Sequence, residues 1–322
     1  MNIRTPLCEL LGIDVPILSA GMAGGTAGVE LAVAVSEAGG LGALGLIGRQ
    51  GPEHARQMIR RARDLTSRPI SGNLWAFLLE QVPQFFDVCI EEQIPSITLS
   101  FGDPTPWVAR AHDAGIKVLH QVQTVAGAKQ AAAAGVDVII AQGSEAGGHT
   151  GTVATMALVP QVVDVAGDIP VVAAGGIADG RGLVAALALG AQGVLMGTRF
   201  VAATEATPPA HGHQQRIIAA TADDTVYTDV FDIVDGMRWP AGISGRSINT
   251  PFAQEWHGRE DELAAARERI LAESPVPGEA PERAHSAYAG QSAGLVRDVR
   301  PAAEIIRDII AEAEAVLDRL AR

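Results

Sequence analysis

Short apolar runs alternate with longer segments of helical periodicity along the first two thirds of the chain. Eight of these runs are four to six residues long, and they occupy 16–19, 40–44, 70–74, 96–99, 117–122, 136–141, 170–174 and 193–196. A continuous apolar run of this length predicts a strand that is buried on both faces, as in a parallel sheet. The segments between the runs place apolar residues three and four positions apart, which predicts helices. The alternation therefore indicates repeated βα units.

Eight βα units favour a closed (β/α)8 TIM barrel of the α/β class over an open doubly wound sheet, which typically has fewer strands. We assign residues 1–203 to the barrel core. The glycines at 115, 135 and 190 each follow a predicted helix and are typical helix stop signals. The carboxyl ends of all eight strands are then expected to meet at one end of the barrel, where barrel enzymes carry their active sites.

The pattern changes between residues 204 and 291. This segment is rich in proline and contains one charged helical pattern near 259–273. It predicts an insertion over one barrel end, which forms a lid or a wall of the substrate pocket. Residues 292–322 are amphipathic again, and Pro301 suits the first turn of a helix, so we expect the last barrel helix there.

Composition and charge exclude several classes of protein. The 322 residues include 48% hydrophobic and 19% charged residues, which is typical of a packed α/β enzyme. The formal net charge of −13 disfavours nucleic acid and anionic membranes as partners. Cys8 and Cys89 are too few for a disulfide framework and lack the spacing of a zinc site, so we expect no metal. With no apolar signal core and no apolar run long enough to span a membrane, the sequence favours the cytoplasm.

One histidine stands at a position suited to chemistry. The run 142–149 follows the sixth predicted strand, consists mainly of small residues and ends in His149. An imidazole can accept or donate a proton near neutral pH, and this placement directs it into the mouth of the barrel. Glu145 in the same loop fits a second acid or base, a helix cap or a surface carboxylate. The other histidines are interpreted as structural, and they are His54, His112, His120, His211, His213, His257 and His285.

Glycines follow the seventh and eighth predicted strands, at Gly175 and Gly176 and again at Gly197 before Thr198. Backbone N–H groups at these two positions of a barrel, often with the start of a short helix, form a common phosphate site. The alternative, that these glycines only form tight turns, stays open for each pair. Their joint occurrence in the right two loops favours phosphate binding.

The remaining strand ends carry small or neutral polar residues, among them Met22, Asn73 and Gln121. Such side chains suit a flat neutral heteroaromatic ligand better than a charged substrate or a metal. Each has an alternative, because methionine also fills core space and amides also satisfy buried backbone groups.

Several of these motifs together resemble the nitronate monooxygenase family, formerly called 2-nitropropane dioxygenases. The resemblance spans almost the whole chain, and its motifs lie at 20–22, 72–74, 142–149, 174–177, 196–200 and 289–291. The element from Glu145 to His149 is shared with FMN-dependent enoyl-ACP reductases and NAD(P)H:quinone reductases. It therefore identifies the superfamily better than the substrate.

The resemblance implies a TIM barrel that binds FMN without a covalent link. Position by position, Gly175, Gly176, Gly197 and Thr198 are then expected to hold the FMN phosphate, and His149 is expected to be the catalytic base. The flavin ring and ribityl chain are expected to contact Met22, Asn73, Gln121, Gln142, Ala146, Gly147 and Gln291.

The implied reaction begins when neutral His149 removes the acidic α-proton of a nitroalkane. The nitronate is then oxidised with O2 to a carbonyl compound and nitrite, while FMN carries the redox step. The expected partners are a small-molecule substrate and O2, and a homodimer is compatible with the sequence. The main alternative is an NAD(P)H-dependent FMN reductase of enoyl-ACP or quinones. A flavin-independent phosphate barrel, acting as an isomerase or lyase, and a noncatalytic flavin-binding protein also stay open.

Overall fold

A computed structural model describes residues 3–208 and 212–322. The stretch 209–211, which belongs to the predicted insertion and contains His211, lies outside the described residues. Up to residue 203 the chain alternates strands with helices, and a mixed segment and one long helix follow. This order agrees with the βα alternation that the apolar runs predict.

The strands of the described ranges form two separate sheets. In chain order they are β1 Ile17–Ser19, β2 Gly42–Gly45, β3 Ile70–Trp75, β4 Ser96–Ser100, β5 Lys117–Val122, β6 Val138–Gln142, β7 Gly148–Thr150, β8 Val171–Ala174, β9 Gly193–Met196, β10 Thr225–Thr228 and β11 Ser244–Ile248. Each of the eight predicted runs coincides with one of them, and the ends differ by at most two residues.

Eight parallel strands form a barrel. Their order is β1-β9-β8-β6-β5-β4-β3-β2, and each neighbouring pair in this order is parallel. The two outer strands of this order also meet, because Leu18 in β1 forms a parallel bridge with Leu41 just before β2. The sheet is therefore closed, and the predicted TIM-barrel fold class is confirmed.

Helices follow the barrel strands and cover their outer faces. In chain order the helices are α1 Pro6–Leu11, α2 Val29–Glu37, α3 Gly51–Leu65, α4 Ala76–Leu79, α5 Gln84–Glu91, α6 Thr105–Asp113, α7 Val125–Ala134, α8 Thr155–Ala166, α9 Gly180–Ala188, α10 Thr198–Val201, α11 His213–Ala219, α12 Val230–Asp235, α13 Pro251–Trp256, α14 Glu260–Leu271 and α15 Ala302–Leu320. Helix α3 shows why they form: its buried residues Ala55, Ile59 and Ala62 are spaced four and three apart and share one face. Gly135 ends α7 at a φ of 81°, a conformation that favours glycine.

The interior of the barrel is an apolar core that is covered at the amino-terminal end of the strands. Leu7 and Leu11 of α1 pack with barrel residues such as Leu119 and Ile140. The hydroxyl of Thr5 donates to the carbonyl of Gln192, directly before β9, at 2.6 Å. Helix α1 therefore covers this end of the barrel, which leaves the opposite end for a ligand.

The second sheet joins the insertion to the barrel. Its order is β10-β11-β7, and both pairings are antiparallel. Strand β7 lies in the glycine-rich loop after β6, whereas β10 and β11 come from the segment 204–291. The sequence did not predict this sheet, because β7 has three residues and finds its partner only in a distant segment. The insertion is thus attached to the loop that carries His149.

The insertion also has its own apolar cluster. Phe231 and Val234 of α12 pack there with Phe252, Trp256 and Leu263 from the following helices. Helix α14 lies within the charged pattern that the sequence assigned to 259–273.

The C-terminal helix α15 packs against α9. Pro301 is the N-cap, one position before its predicted place in the first turn, and the residues Gln291–Leu295 form a 3-10 turn before it. A Cβ on Gly180 would lie 2.4 Å from the backbone nitrogen of Ala313, so this glycine permits the close approach of the two helices.

Candidate active site

A cavity of about 730 Å³ opens at the carboxyl ends of the barrel strands. Its volume lies within the range of small-molecule and cofactor sites. The structure brings eight of the residues singled out in the sequence to its walls: Met22, Asn73, Gln121, Gln142, Gly147, His149, Gly197 and Thr198. These residues come from the ends of different strands, as the closed barrel requires.

The other four site residues do not line this cavity but lie beside one wall of it. A Cβ on Gly175 would lie 3.0 Å from the backbone nitrogen of Ala146, and a Cβ on Gly176 would lie 3.3 Å from Cβ of Glu145. The backbone N–H of Gln291 donates to the carbonyl of Glu145 at 2.9 Å. Ala146 is thus part of the loop that leads to His149, and Gly175, Gly176 and Gln291 contact that loop.

The predicted phosphate site involves glycines in unusual backbone conformations. Gly175 and Gly176 have φ values of 98° and 73°, which favour glycine. At Gly197 a Cβ would make ordinary contacts with Cβ of Ala20 at 3.6 Å and Sδ of Met22 at 3.9 Å, so a small side chain would fit there. The hydroxyl of Thr198 accepts a hydrogen bond from the N–H of Gly290 at 2.9 Å, which connects this loop to the segment before Gln291.

The three amide side chains at the cavity differ in their hydrogen bonds. Asn73 Nδ2 donates to the Ser100 hydroxyl at 2.9 Å, and Gln142 Nε2 donates to the carbonyl of His149 at 3.1 Å. Gln121 is 8% exposed, yet its amide forms no hydrogen bond with any residue of the described ranges. A buried amide without a protein partner at a cavity wall indicates a place where a ligand can supply hydrogen bonds.

His149 lies on β7 and projects into the cavity. Gly245 pairs with it across β11, and a Cβ at Gly245 would lie 3.6 Å from its Nε2 atom and 2.9 Å from the ring of Tyr288. Nε2 is 2.9 Å from Oδ1 and 3.0 Å from Oδ2 of Asp232. The Nδ1 atom forms no hydrogen bond with a residue of the described ranges. One ring nitrogen of His149 is therefore committed to a carboxylate and the other is left for a ligand.

Aromatic rings surround the imidazole of His149. The indole of Trp239 stacks on it, with ring centroids 3.5 Å apart. The same indole contacts the rings of Trp75 at 5.0 Å, Phe101 at 5.1 Å and Phe77 at 5.3 Å. The wall next to His149 is thus apolar and disfavours water around the imidazole.

Tyr288 lies on another side of His149, at a centroid distance of 5.3 Å. Burial, and next the negative charge of Asp232, raise the pKa of the Tyr288 phenol well above its usual value. The phenol therefore stays protonated at physiological pH and does not compete with His149 as a base.

Glu145 has a structural role in this arrangement. Its carboxylate accepts hydrogen bonds from the backbone N–H of Thr155 at 2.8 Å and from the Thr155 hydroxyl at 2.9 Å. Thr155 is the first residue of α8, so a negative charge here also interacts favourably with the helix dipole. Of the three sequence interpretations of Glu145, the structure supports the helix cap.

His213 differs from the other histidines that the sequence assigned to structural roles, because it lines the cavity. Its Nε2 atom lies 2.9 Å from the carbonyl of Tyr288, and its buried Nδ1 atom has no hydrogen-bond partner among the described residues. Burial lowers the pKa of His213, which keeps the ring neutral.

Sequence reasoning missed Asp232 and Trp239. Both lie in the insertion, and the contact between His149 and Asp232 joins residues 83 positions apart. The one signal at Trp239 is a large aromatic residue in a short loop that also contains Pro240 and Gly242. Such a loop residue points to a binding role, but it does not identify what it contacts.

Within residues 3–208 and 212–322, no helix has both the length and the apolarity needed to cross a bilayer. No three His, Cys, Asp or Glu side chains in these ranges come close enough together to coordinate a metal ion.

Comparisons with known proteins identify similar sequences and structures. The chain matches the family model described as nitronate monooxygenase over residues 4–87 and 80–312. A nitronate monooxygenase of Paraburkholderia phytofirmans is 34% identical, with 98% of this chain and 97% of that protein covered. An octahydro-indene-carboxyl-CoA dehydrogenase of Rhodococcus jostii is 33% identical, with 99% and 98% covered. Among solved structures, FabK from Thermotoga maritima is 39% identical with a TM-score of 0.87, and the coverage is 99% of this chain and 98% of that one.

Proposed function

Because the chain belongs to the nitronate monooxygenase family, we propose that it oxidises alkyl nitronates and nitroalkanes with O2 to carbonyl compounds and nitrite. FMN is the proposed cofactor and His149 the general base. The observation that carries the proposal is the position of His149 at the mouth of a closed barrel, with Nδ1 unpartnered among the described residues and an aromatic wall beside it. The match to the family makes the chain an oxidoreductase, and the site supplies the proton chemistry.

The residues at the cavity fit a flavin mononucleotide. The unpartnered amide of Gln121, the position of Gly197 at the cavity wall and the volume of the cavity support a planar ligand with several hydrogen-bonding edges. The phosphate is assigned to Gly175, Gly176, Gly197 and Thr198. The ring and ribityl chain are assigned to Met22, Asn73, Gln121, Gln142, Ala146, Gly147 and Gln291. When bound, FMN supplies the electron transfer and the O2 chemistry that amino acid side chains cannot perform.

His149 supplies the acid–base step. A neutral imidazole next to the α-carbon of a nitroalkane accepts the α-proton, which contributes about 10²–10⁴-fold to the rate. A nitronate that enters already deprotonated does not need this step. Loss of His149 should therefore slow the oxidation of a neutral nitroalkane much more than the oxidation of its nitronate anion.

The segment 204–291 is proposed to act as the lid and substrate wall. It contributes Asp232 and Trp239 to the surroundings of His149, and β11 holds the strand on which His149 lies. At the outside, Arg49 of the barrel forms an ion pair of 3.1 Å with Glu279 of this segment. With Trp239, this segment completes the aromatic wall beside His149. The apolar wall keeps water away from the reacting carbon.

We assign the protein to the reducing cytoplasm on the state of its thiols. Cys8 and Cys89 are both free and buried. Burial raises the pKa of the Cys89 thiol to about 12, which suits an inert core residue rather than a redox group.

A second candidate function is favoured by one relative. The Rhodococcus jostii protein is named as a dehydrogenase of a carboxyl-CoA compound, and its sequence aligns with nearly the whole chain. The corresponding activity here is hydride exchange between a nicotinamide and an acyl thioester or a quinone through FMN. The aromatic wall at Trp75 and Phe101 accepts an apolar acyl group as readily as a nitroalkane.

Anaerobic stopped-flow spectroscopy of the FMN-reconstituted protein separates the two functions. We expect visible flavin absorbance to fall rapidly after mixing with ethylnitronate, without any nicotinamide, and nitrite to form after O2 is admitted. Rapid loss of absorbance with NADH or NADPH alone, and none with nitronate, would replace the proposal by the reductase. A protein that stays colourless after incubation with FMN contradicts both.

A further inference from the structure

The carboxylate of Asp232 makes three hydrogen-bond contacts in a confined place. Both of its oxygens lie within 3.0 Å of Nε2 of His149, and Oδ1 also accepts from the indole N–H of Trp239 at 3.1 Å. Asp232 is 7% exposed. A buried carboxylate requires such donors, and here both donors belong to side chains at the reacting end of the cavity.

This contact decides which nitrogen of His149 carries the proton. An ionised carboxylate has no hydrogen to donate, so the hydrogen bond with Nε2 requires Nε2–H. In the neutral ring the lone pair is then on Nδ1. Nδ1 is the atom that has no hydrogen-bond partner among the described residues.

We propose that Asp232 is a positioning residue that fixes His149 in its Nε2–H tautomer, so that Nδ1 is the atom that takes the substrate proton. Trp239 in turn fixes the orientation of Asp232 through its indole N–H. The inference rests on the proposed function for its activity readout, whereas the tautomer itself can be observed independently.

Proton transfer in this arrangement forms one bond and breaks another. The lone pair of Nδ1 forms a bond to the α-proton, the C–H bond breaks, and its electron pair moves into the nitro group to give the nitronate. The ring becomes an imidazolium that still donates Nε2–H to Asp232. The negative carboxylate then offsets the new positive charge in a poorly solvated site.

Asp232→Ala gives a sharp test because it removes both oxygens that lie within 3.0 Å of Nε2 of His149. Nε2–H then has no acceptor to hold it, so the ring proton is free to move to Nδ1 and block the base. The carboxylate that offsets the charge of the imidazolium is lost at the same time.

Nitrogen-15 NMR of histidine-labelled, FMN-loaded protein reports the tautomer directly. We expect the Nε2–H form of His149 alone in the parent and a clear population of the Nδ1–H form in Asp232→Ala. Oxidation of neutral nitroethane should fall on the order of 10²–10⁴-fold, because the carboxylate no longer fixes the base or offsets its charge. Oxidation of preformed ethylnitronate should change less than about tenfold, because no proton is removed.

Two further variants complete the test. Asp232→Glu keeps a carboxylate, and we expect it to retain the Nε2–H form and part of the nitroethane activity. Asp229→Ala is the matched control, since Asp229 is an exposed aspartate at the N-cap of the same helix, and it should change neither the tautomer nor the rates.

An unchanged Nε2–H tautomer in Asp232→Ala overturns the inference, and so does an equal loss of activity on nitroethane and on nitronate. A parent protein that oxidises neither substrate rejects the proposed function instead. In that case the tautomers of the parent and of Asp232→Ala still decide whether Asp232 positions His149.

Discussion

The indole of Trp239 lies almost flat on the imidazole of His149, with a centroid distance of 3.5 Å and an angle of 15° between the planes. Trp239 belongs to the insertion, whereas His149 belongs to a barrel loop. One face of the imidazole is therefore covered by a residue that the barrel itself does not supply. The insertion completes the site, and its removal should affect binding as well as chemistry.

Trp239→Ala should weaken substrate binding. The indole joins the rings of Trp75, Phe77 and Phe101 into one apolar wall, and an aromatic contact of this kind contributes about 1 kcal/mol. We expect KM for a long-chain nitronate to rise about fivefold. Trp239→Phe, which keeps a ring over His149, is the control and should stay close to the parent KM. Equal KM values for Trp239→Ala and the parent would contradict this role.

Gly197→Ala should weaken FMN binding without harming the fold. The new methyl group would meet no atom closer than 3.6 Å, so the protein can accommodate it, but it would occupy space in the cavity. Fluorescence titration should show the Kd for FMN rising on the order of tenfold, with the Tm of the cofactor-free protein unchanged. Gly127→Ala, in helix α7 away from the cavity, should bind FMN normally. Parent affinity in Gly197→Ala would remove this loop from the cofactor site.

Glu145→Ala should lower stability rather than remove an acid or base. The variant loses the hydrogen bonds to Thr155 at the start of α8, and the loss of a helix cap costs about 1–2 kcal/mol. Urea unfolding should show this decrease in the free energy of unfolding. Glu145→Gln, which retains a hydrogen-bond acceptor, should lose less and should keep the pH profile of the parent. A loss of nitroalkane activity in Glu145→Gln as deep as that of a His149 variant would show that the carboxylate takes part in catalysis.

Burial of His120 should make stability depend on pH in a defined window. Burial lowers the pKa of His120 to about 4, and its Nδ1 atom has no hydrogen-bond partner within residues 3–208 and 212–322. In the unfolded chain a histidine takes up a proton at about pH 6.5. Between these two values the unfolded state binds more protons, so the free energy of unfolding falls as the pH falls from about 6.5 to 4.

The contribution of His120 to this fall is roughly 3 kcal/mol in total. Denaturant unfolding at several pH values should show a shallower decrease for His120→Asn than for the parent across this window. The exposed His54 provides the control, and His54→Asn should retain the parent slope. Identical slopes for His120→Asn and the parent would show that His120 is not held neutral in the folded state.

The barrel could be predicted from the sequence because its strands are buried on both faces. Runs such as 170–174 and 193–196 are apolar without interruption, and strands β8 and β9 follow them closely. Closure then brings the strand ends together, so residues as distant as Asn73 and Gly197 could be placed at one cavity before any contact was known. Glycine and histidine residues at the strand ends were therefore enough to predict positions at the cavity.

The surroundings of His149 could not be predicted in the same way. Strand β7 is too short to show a periodicity, and its partner β11 lies in a segment with no regular pattern. Asp232 is one of several carboxylates in the insertion, and nothing in its neighbours indicates that it meets an imidazole 83 positions away. Contacts of this kind depend on how the insertion folds back over the barrel, which local propensity does not encode.

The most direct test of the central claim compares nitrite formation from two forms of one substrate, the neutral nitroalkane and its nitronate. FMN-loaded parent protein and His149→Ala are supplied with nitroethane or with preformed ethylnitronate, and nitrite formation is measured. We expect His149→Ala to lose about 10²–10⁴-fold on nitroethane while its rate on ethylnitronate stays within about tenfold of the parent. Equal rates of the two proteins on nitroethane would show that His149 is not the base.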